Sequence, residues 1–421
     1  MQSRKETRRT FLKTAAFSAS ALAFGNIAFA KPEPWKVAIV QDTSIKTLGG
    51  HGLETAFYGL PNVEIVAHID SNEKDIEKRM AITHAKKHYR SLEEMFKQTV
   101  PDIVVLTCRL PETHLPAIRI LAEKGCNIYC EKPLVSSLHD ADEIVKIVKK
   151  HNIKLTVAHP RRYDLGYRTM KKLIESGKIG TPLTIHGFSK NDHRGGGEDM
   201  LVLGTHILDL FLFMFGAPAN VYGEVYVDGK PFKDQPLTKT VEPIGPTAGD
   251  EIFATFRFPN GVHGVYGSRR KLYSYEKKDY PMGIAVMGTS GMLSYHFSDA
   301  HPEQQPLRFN NHPTSPARTS FAETIELIED REIPGAVPLE KAFGSVKKMN
   351  MGAIFASARR YAVWDLMQAI KEDRQPVCNA FEAQKVMEMI YGVYTSHLQN
   401  KPIEFPLKDR SHPLTKFQKN V

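Results

Sequence analysis

From residue 36 onward, short apolar runs alternate with longer amphipathic segments, and this alternation limits the folds that the chain can adopt. The apolar runs are KVAIV, VEIVAHID, DIVVLTC, NIYCE and KLTVAH, and segments with helical periodicity separate them. Continuous apolar runs joined by helices are typical of parallel strands, which are buried on both faces. The pattern therefore predicts a doubly wound α/β domain, of the Rossmann type, over residues 35–158.

Beyond this domain the pattern changes to strand-like runs, with one apolar helix predicted at residues 199–215 near their start. Runs such as EIFATFRF and GVHGVYG predict strands, so residues 159–421 are expected to form an α+β domain with a large, mostly antiparallel sheet. Within it, residues 298–360 have weak periodicity and predict an irregular excursion over the surface. Helical patterns at 361–373 and 380–398 are expected to pack back on this second domain.

The first 30 residues predict an export signal. Arg8 and Arg9 precede a mild run rich in Ala, Ser and Phe, which ends in an A-x-A motif at residues 28–30. This arrangement is typical of a twin-arginine signal peptide, and the run is too short and too weakly apolar to span a membrane. We expect a protein exported to the periplasm or beyond, without a membrane span after processing. A disordered basic tail is the alternative interpretation.

Composition limits the expected partners. The formal net charge is +9, but no basic stripe is interleaved with aromatic residues, so nucleic acid is not expected to bind. Four cysteines are too few for a disulfide framework in an exported protein of this length. Cys126 and Cys130, if they lie in one strand, are roughly 13 Å apart and beyond disulfide reach.

The segment after the first strand is a candidate dinucleotide-binding turn. Glycine is needed there because the backbone must approach a pyrophosphate at the start of a helix. In VQDTSIKTLGGHGLETAF, Gln41 replaces the first glycine, and Gly49, Gly50 and Gly52 come late. This motif alone is weak, because an ordinary surface turn would also explain it.

Asp70 follows the second apolar run, about 20 residues after Gly50, the spacing at which an acid accepts the ribose hydroxyls of NAD. A carboxylate there disfavours a 2′-phosphate, so NAD(H) is preferred over NADP(H). The alternative is that Asp70 caps the following helix.

The fifth apolar run ends in Glu131-Lys132-Pro133, at the sheet edge where parallel α/β folds hold ligands. An X-Pro bond can be cis at modest cost, and a cis bond would turn Lys132 toward the crevice. A lysine there can hydrogen-bond a substrate hydroxyl and stabilise the alkoxide that develops as hydride leaves. The ordinary alternative is a solvated lysine at the end of a strand.

Several of these motifs occur in the order found in one family. The chain resembles the Gfo/Idh/MocA oxidoreductases over residues 35–408, through E-K-P, the acid after the second strand, TCRLPETH with Thr107 and His114, and GGGEDMLVLGTHILDLFLFMFG. The resemblance implies a Rossmann domain that binds NAD(P), a second domain whose open sheet often mediates oligomers, and sugar or cyclitol substrates. We therefore expect NAD(H), a carbohydrate substrate and a homo-oligomer.

The resemblance also assigns roles by position. It makes Lys132 the catalytic lysine and His206 the proton-handling histidine, with Asp209 one turn later, but Val202 stands where many members have an aspartate. The residues expected to contact the cofactor are Asp42, Thr43, Gly50, Gly52, Asp70, Ser71, Thr107, Arg109, His114, Glu131 and Lys132. Candidates for substrate contacts are His159, Arg162, Tyr163, His193 and Asp199.

The segment HRGGGED also allows a metal-site interpretation. Its histidine and acids lack the close i, i+3 or i, i+4 spacing of a defined ligand set. We therefore expect no metal and interpret the segment as a flexible loop over the substrate.

An exported oxidoreductase meets no free NAD pool, so its cofactor must be held tightly and recycled in place. One cycle pairs oxidation of a sugar with reduction of a second sugar. The other cleaves a glycoside by oxidation, elimination, hydration and reduction, and needs a further base, for which Tyr163 or His193 is a candidate. A non-catalytic protein that binds NAD and a sugar is the third alternative, because Val202 removes one acid.

Overall fold

The fold is taken from a computed structural model of the chain. It describes residues 33–45, 51–272, 282–297, 307–312, 323–329, 331–343 and 350–418. The predicted signal peptide and Gly50 lie outside the described residues. The boundaries predicted for the two domains remain predictions.

Six parallel strands form the sheet expected for the first domain. They are β1 (Trp35–Val40), β2 (Val63–Ile69), β3 (His88–Tyr89), β4 (Ile103–Leu106), β5 (Asn127–Cys130) and β6 (Leu155–Val157). Their order is β3-β2-β1-β4-β5-β6, so the winding reverses between β1 and β4. The doubly wound fold is confirmed, and its ligand crevice is expected beside this reversal.

Helices connect these strands. They are α1 (Ile76–Thr83), α2 (Leu92–Phe96), α3 (His114–Glu123) and α4 (Leu138–His151), with 3-10 turns at Leu53–Thr55, Pro111–Thr113 and Pro160–Tyr163. Ser137 caps α4 by accepting a hydrogen bond from the backbone N–H of Asp140, a contact that stabilises a helix by about 1 kcal/mol. The N-cap of α1 is Asp75, so the alternative interpretation of Asp70 as a helix cap is wrong.

A second, larger sheet fills the other half of the protein. Its strands are β7 (Pro182–Phe188), β8 (Asn220–Val227), β9 (Lys230–Pro231), β10 (Glu251–Arg257), β11 (His263–Arg269), β12 (Met282–Gly288), β13 (Met292–Phe297), β14 (Leu307–Asn310), β15 (Glu323–Ile325) and β16 (Ile403–Glu404). Nine follow the order β15-β14-β13-β12-β7-β11-β10-β8-β16, and β9 pairs with β8. Only β7 and β11 pair in parallel among these described strands, which confirms the predicted, mostly antiparallel sheet.

The remaining helices are α5 (Leu165–Glu175), α6 (Gly197–Val202), α7 (Gly204–Phe215), α8 (Leu339–Ala342), α9 (Asn350–Lys371), α10 (Ala380–Gln399) and α11 (Pro413–Gln418). The single apolar helix predicted at 199–215 is therefore two helices, α6 and α7, which meet at Leu203. Within 298–360, where an irregular excursion was expected, β14 and β15 extend the second sheet.

The helix α9 packs on the first sheet rather than on the second domain. Its Ala362 and Leu366 join a buried cluster with Val37 and Ile39 of β1. In its described residues, the segment between β1 and β2 contributes a one-turn 3-10 helix to this face, and α9 covers more of it. The expected packing on the second domain is thus wrong for α9, whereas α10 does contact β8 and α7.

Two further observations concern the chain as a whole. All four cysteines are free, in agreement with the spacing of Cys126 and Cys130. Within the described residues, no helix combines the length and the apolar character needed to cross a bilayer.

A candidate active site at the carboxyl edge of the first sheet

Lys132 is the second residue after β5, and its peptide bond to Pro133 is cis. Its Nζ donates a hydrogen bond of 2.7 Å to the carbonyl oxygen of Val202, the last residue of α6. The residue is only 3% exposed, so the solvated-lysine alternative is wrong. Burial, aided by Arg109, lowers the pKa of Lys132 to about 8, although Glu131 acts in the opposite direction. Lys132 is therefore a buried amine with a pKa of about 8.

His206 approaches the same point from the first turn of α7. It lies one helical turn after Val202, whose carbonyl receives the lysine. Its Nδ1 is buried and has no hydrogen-bond partner among the described residues. Burial, followed by the charge of Lys132, lowers the pKa of His206 well below its ordinary value. The imidazole is therefore neutral at pH 7 and available to accept a proton beside Lys132.

Asp209 is buried one turn after His206 and forms an ion pair with Arg162, at 2.7 Å from Nη2. Its Oδ1 also lies 3.4 Å from Nδ1 of His159, whose ring meets that of His206 edge to face at 5.5 Å. Burial acts to raise the pKa of Asp209, but Arg162 and His159 hold it below its usual range. Asp209 therefore stays ionised, anchors Arg162 and orients His159 beside His206.

Glu131 is held by His51, a residue that the sequence analysis did not select. Nδ1 of His51 lies 2.7 Å from one oxygen of the buried carboxylate, and the backbone N–H of Lys132 donates to the other at 2.9 Å. Burial acts to raise the pKa of Glu131, but His51 and Lys132 hold it below its usual range. The side chain of His51 is 39% exposed, yet desolvation by the crevice walls lowers its pKa. The signal in the sequence was its position between glycines in GGHG.

Asp70 lies directly after β2 and is fully buried. Its carboxylate accepts hydrogen bonds from the Thr43 hydroxyl at 2.8 Å and from the backbone N–H of Asn72 at 2.9 Å. Arg79 is also close, with Nε 3.4 Å from the carboxylate. Thr43 and Asp70 thus meet at the position where Rossmann folds hold a ribose.

The other predicted cofactor residues are distributed around this edge. Gly52 has a φ of 77° and lies against the guanidinium of Arg359. Thr107 follows β4 and donates to the carbonyl of Val40 at 2.9 Å. Arg109 forms a buried ion pair with Glu242, in the loop between β9 and β10. Asp42 and Ser71 lie in the loops that follow β1 and β2.

His114 does not face the crevice as a cofactor contact would. It is fully buried, and its two ring nitrogens lie 2.8 Å from the backbone carbonyls of Cys108 and Leu134. These residues belong to the loops that follow β4 and β5. The predicted cofactor contact is therefore corrected to a positioning role, in which His114 ties together two loops that border the site.

Three of the candidates for substrate contact, Tyr163, Arg162 and Asp199, have side chains that bind other residues of the protein. The hydroxyl of Tyr163 donates to Asp365 of α9 at 2.8 Å, within the core beneath the first sheet, so its proposed role as a base is not supported. Arg162 bridges Asp209 and Glu382 of α10, which makes it a structural contact.

Asp199 accepts hydrogen bonds from Ser268 at 2.6 Å and from the backbone of Asn191 at 3.1 Å. These contacts hold it against β11, and within the described part of the chain no hydrogen bond or ion pair joins it to Lys132, so it does not replace the acid missing at Val202. Burial raises its pKa. His193 remains half-exposed, 3.7 Å from Asp192.

The glycines of HRGGGED are packed tightly and do not form the expected flexible loop. A Cβ at Gly195 would lie 2.2 Å from the carbonyl oxygen of Arg269, and one at Gly196 would lie 2.4 Å from that of Gly249. These glycines allow the backbone to approach neighbouring strands, so the expectation of flexibility is wrong. Among the described residues, no group of three or more His, Cys, Asp or Glu side chains is arranged to hold a metal.

Comparison with known proteins agrees with the two-domain fold. Residues 49–159 match the model of the "Oxidoreductase family, NAD-binding Rossmann fold", and residues 167–294 match the GFO/IDH/MocA C-terminal domain. Oxidoreductase P35 of Formosa agariphila is 33% identical over 308 residues, which cover 65% of this chain and 92% of that protein. The chain belongs to the Gfo/Idh/MocA oxidoreductase family. Its first domain is accordingly an NAD-binding Rossmann domain.

Other curated relatives match the chain at lower identity. Myo-inositol 2-dehydrogenase of Thermotoga maritima is 27% identical over 213 residues, 49% of this chain and 60% of that enzyme. The chain thus spans less than two thirds of the length of this and several other curated relatives.

Two solved structures show the same architecture over most of this Gfo/Idh/MocA chain. Levoglucosan dehydrogenase, in complex with NADH and L-sorbose, has a TM-score of 0.67 at 17% identity and covers 89% of this chain and 99% of its own. The aldose-aldose oxidoreductase of Caulobacter crescentus has a TM-score of 0.64 at 16% identity and covers 89% and 100%.

Proposed function

We propose that the protein is an NAD(H)-dependent oxidoreductase that acts on a hydroxyl of a sugar or glycoside and keeps its cofactor tightly bound. The observation that carries this proposal is the 2.7 Å contact between Lys132 Nζ and the carbonyl of Val202, which puts a buried amine beside the turn that bears His206. The names of the inositol and levoglucosan dehydrogenases support a polyol or sugar substrate.

In this proposal His206 accepts a proton and Lys132 stabilises a negative charge. His206, kept neutral by burial, accepts the proton of the substrate hydroxyl. Lys132 is mostly protonated below about pH 8 and uses the N–H groups not taken by Val202 to stabilise the alkoxide. The nicotinamide, when bound, supplies the hydride acceptor. His159, oriented by Asp209, supports the ring of His206.

The residues at the sheet edge fit a dinucleotide. Asp70 and Thr43 would hold the adenosine ribose, and the carboxylate disfavours a 2′-phosphate, which supports NAD(H) over NADP(H). Arg79 does not change this preference, because its terminal nitrogens donate to the backbone carbonyls of Asn72 and Lys74. Gly52 would allow close approach of the diphosphate.

Of the two redox cycles, oxidation paired with reduction of a second sugar is the better supported. Glycoside cleavage needs a further base, and one of its two candidates, Tyr163, is engaged by Asp365. The sugar-to-sugar cycle needs no such base, and the name of the aldose-aldose oxidoreductase, a protein of similar fold, supports it.

The test begins with the purified mature protein, denatured and assayed for released NAD(H) by absorbance. Absence of nucleotide would defeat the proposal of a retained cofactor. Incubation with sugars, polyols and aryl glycosides follows, with Lys132→Ala as the control. A keto-sugar without cleavage supports the oxidoreductase, whereas cleavage that is lost in Lys132→Ala assigns the glycosidase cycle. Bound nucleotide without any product would leave a non-catalytic binding protein.

Export and oligomer formation are further parts of the proposal. Replacement of Arg8 and Arg9 by lysine is expected to retain the protein in the cytoplasm, as cell fractionation would measure.

The outer face of the second sheet exposes Phe188, Tyr222 and Phe253 by 38%, 36% and 43%, which supports an oligomer through this face. Light scattering of the wild type and of Phe253→Lys would test it, with a smaller species expected for the variant.

A further inference from the structure

Arg359 belongs to α9, far along the chain from the first domain, yet its side chain reaches the glycine segment after β1. Its Nη1 donates a hydrogen bond to the backbone carbonyl of His51. A Cβ at Gly52 would lie 3.2 Å from Nη2, 3.4 Å from Cζ and 3.6 Å from Nη1. The guanidinium therefore lies flat over the α-carbon of Gly52, an approach that a side chain at this position would hinder.

The charge of Arg359 is not matched by a direct partner in the described part of the chain. No carboxylate there lies within ion-pair distance, the contact with His51 is its one hydrogen bond, and its Nε is buried without a partner. Burial lowers its pKa, with Tyr129 and Glu54 acting in the opposite direction. A desolvated guanidinium is costly unless an anion compensates it, so the arrangement favours a negatively charged ligand.

We propose that Arg359 binds the diphosphate of the dinucleotide and closes the nucleotide site from α9. This inference rests on the proposed function, and it assigns part of the tight retention to one residue outside the Rossmann domain. With Nη1 held by His51 and Nε buried in the protein, Nη2 is the nitrogen left to donate a charge-assisted hydrogen bond to a phosphate oxygen. The contact with Gly52 places this nitrogen on the segment where Rossmann domains hold a diphosphate.

Arg360 provides a matched control on the same helix. Its Nη2 donates to the backbone carbonyl of Val337 at 2.8 Å and lies 3.4 Å from that of Gly59, so its side chain is committed to a different loop. Arg359→Gln and Arg360→Gln remove the same charge from adjacent positions of α9. Only the first removes the guanidinium that lies over Gly52.

The experiment measures the rate at which bound NAD leaves the full-length mature protein, with an NAD-consuming enzyme as the trap. Arg359→Gln is expected to release the nucleotide about 10- to 100-fold faster, the range for losing a charge-assisted hydrogen bond. Arg359→Lys keeps the charge but loses the planar guanidinium held by His51, so its release rate is expected to lie between those of the wild type and Arg359→Gln. Arg360→Gln is expected to match the wild type. Equal rates for Arg359→Gln and the wild type would overturn the inference.

A second measurement separates diphosphate binding from simple support of the loop. NAD and adenosine are titrated into nucleotide-free wild type and Arg359→Gln, both checked for folding by thermal denaturation. Weaker binding of NAD with unchanged binding of adenosine supports the inference, whereas equal losses for both ligands overturn it. Wild type that is purified without nucleotide would defeat the proposal of a retained cofactor, and the titration would still test Arg359.

Discussion

Nζ of Lys132 lies 2.7 Å from the carbonyl oxygen of Val202, one helical turn before His206. The resemblance to the Gfo/Idh/MocA family leads one to expect an aspartate at this position, whereas here Lys132 meets the dipole of a backbone carbonyl. A dipole stabilises an ammonium less than a carboxylate does, and burial lowers the pKa of Lys132 to about 8. The lysine of this protein therefore changes charge within the pH range of ordinary assays.

The first prediction concerns the pH dependence of activity. Because the protonated lysine stabilises the alkoxide, kcat/KM should be level near pH 7 and fall as the pH rises through about 8. His206 stays neutral over this range and adds no change. Lys132→Arg, which keeps its charge, should be slower but lack the alkaline fall. A wild-type profile that rises through pH 8 would instead make Lys132 the base.

The second prediction concerns stability. The pKa of Lys132 is about 8 in the folded protein against an ordinary 10.5, so the folded state disfavours the ammonium. This cost to the free energy of folding applies in full below pH 8, where the lysine is protonated in both the folded and the unfolded protein. It disappears as the pH rises to 10.5. At about 1.4 kcal/mol per pKa unit it is about 3 kcal/mol. Lys132→Met should therefore be more stable than the wild type by about 2 kcal/mol at pH 7, after loss of the bond to Val202, and should lose this advantage by pH 10.5.

Urea unfolding at the two pH values measures this difference. A Lys132→Met protein that is no more stable than the wild type at pH 7 would show that the buried ammonium carries no such cost.

The third prediction separates structure from catalysis at Asp209. Asp209→Asn leaves the buried guanidinium of Arg162 without its main partner, which should cost about 3 kcal/mol in the free energy of unfolding. Glu382→Gln removes the more exposed partner of Arg162 and should cost less than about 1 kcal/mol. Denaturant unfolding and kcat are measured for both variants. An Asp209→Asn protein with wild-type stability and no turnover would assign Asp209 to catalysis directly.

The two sheets could be predicted because the pattern of apolar runs leaves few alternatives. The position of Lys132 at the edge of the first sheet could also be predicted, since the carboxyl ends of parallel strands meet at one edge. The packing of α9 could not be predicted, because its amphipathic pattern does not specify which sheet it covers. Arg359 and its contact with Gly52 depend on that packing.

The hydrogen-bond partners of polar side chains could not be predicted from the sequence either. Tyr163 has the right chemistry for a base, but its hydroxyl binds Asp365, 202 residues away in sequence. Glycines were ambiguous for a different reason, because they provide either mobility or close packing. Gly196 provides packing, since its Cα faces the carbonyl of Gly249, and composition does not distinguish the two uses.

The fourth prediction adds a negative charge near the lysine, at the position where the resemblance to the family leads one to expect an aspartate. In Val202→Asp a carboxylate is placed on the residue whose carbonyl binds Lys132, at a position only 1% exposed. An opposite charge within a few ångströms favours the ammonium and should raise the pKa of Lys132 by about 1 unit or more. The alkaline fall in kcat/KM should therefore move to higher pH by a similar amount. Val202→Asn introduces a side chain of similar size without a charge, so the alkaline fall in kcat/KM should stay at the pH of the wild type. If Val202→Asp folds and its profile coincides with that of Val202→Asn, the group that titrates near pH 8 is not Lys132.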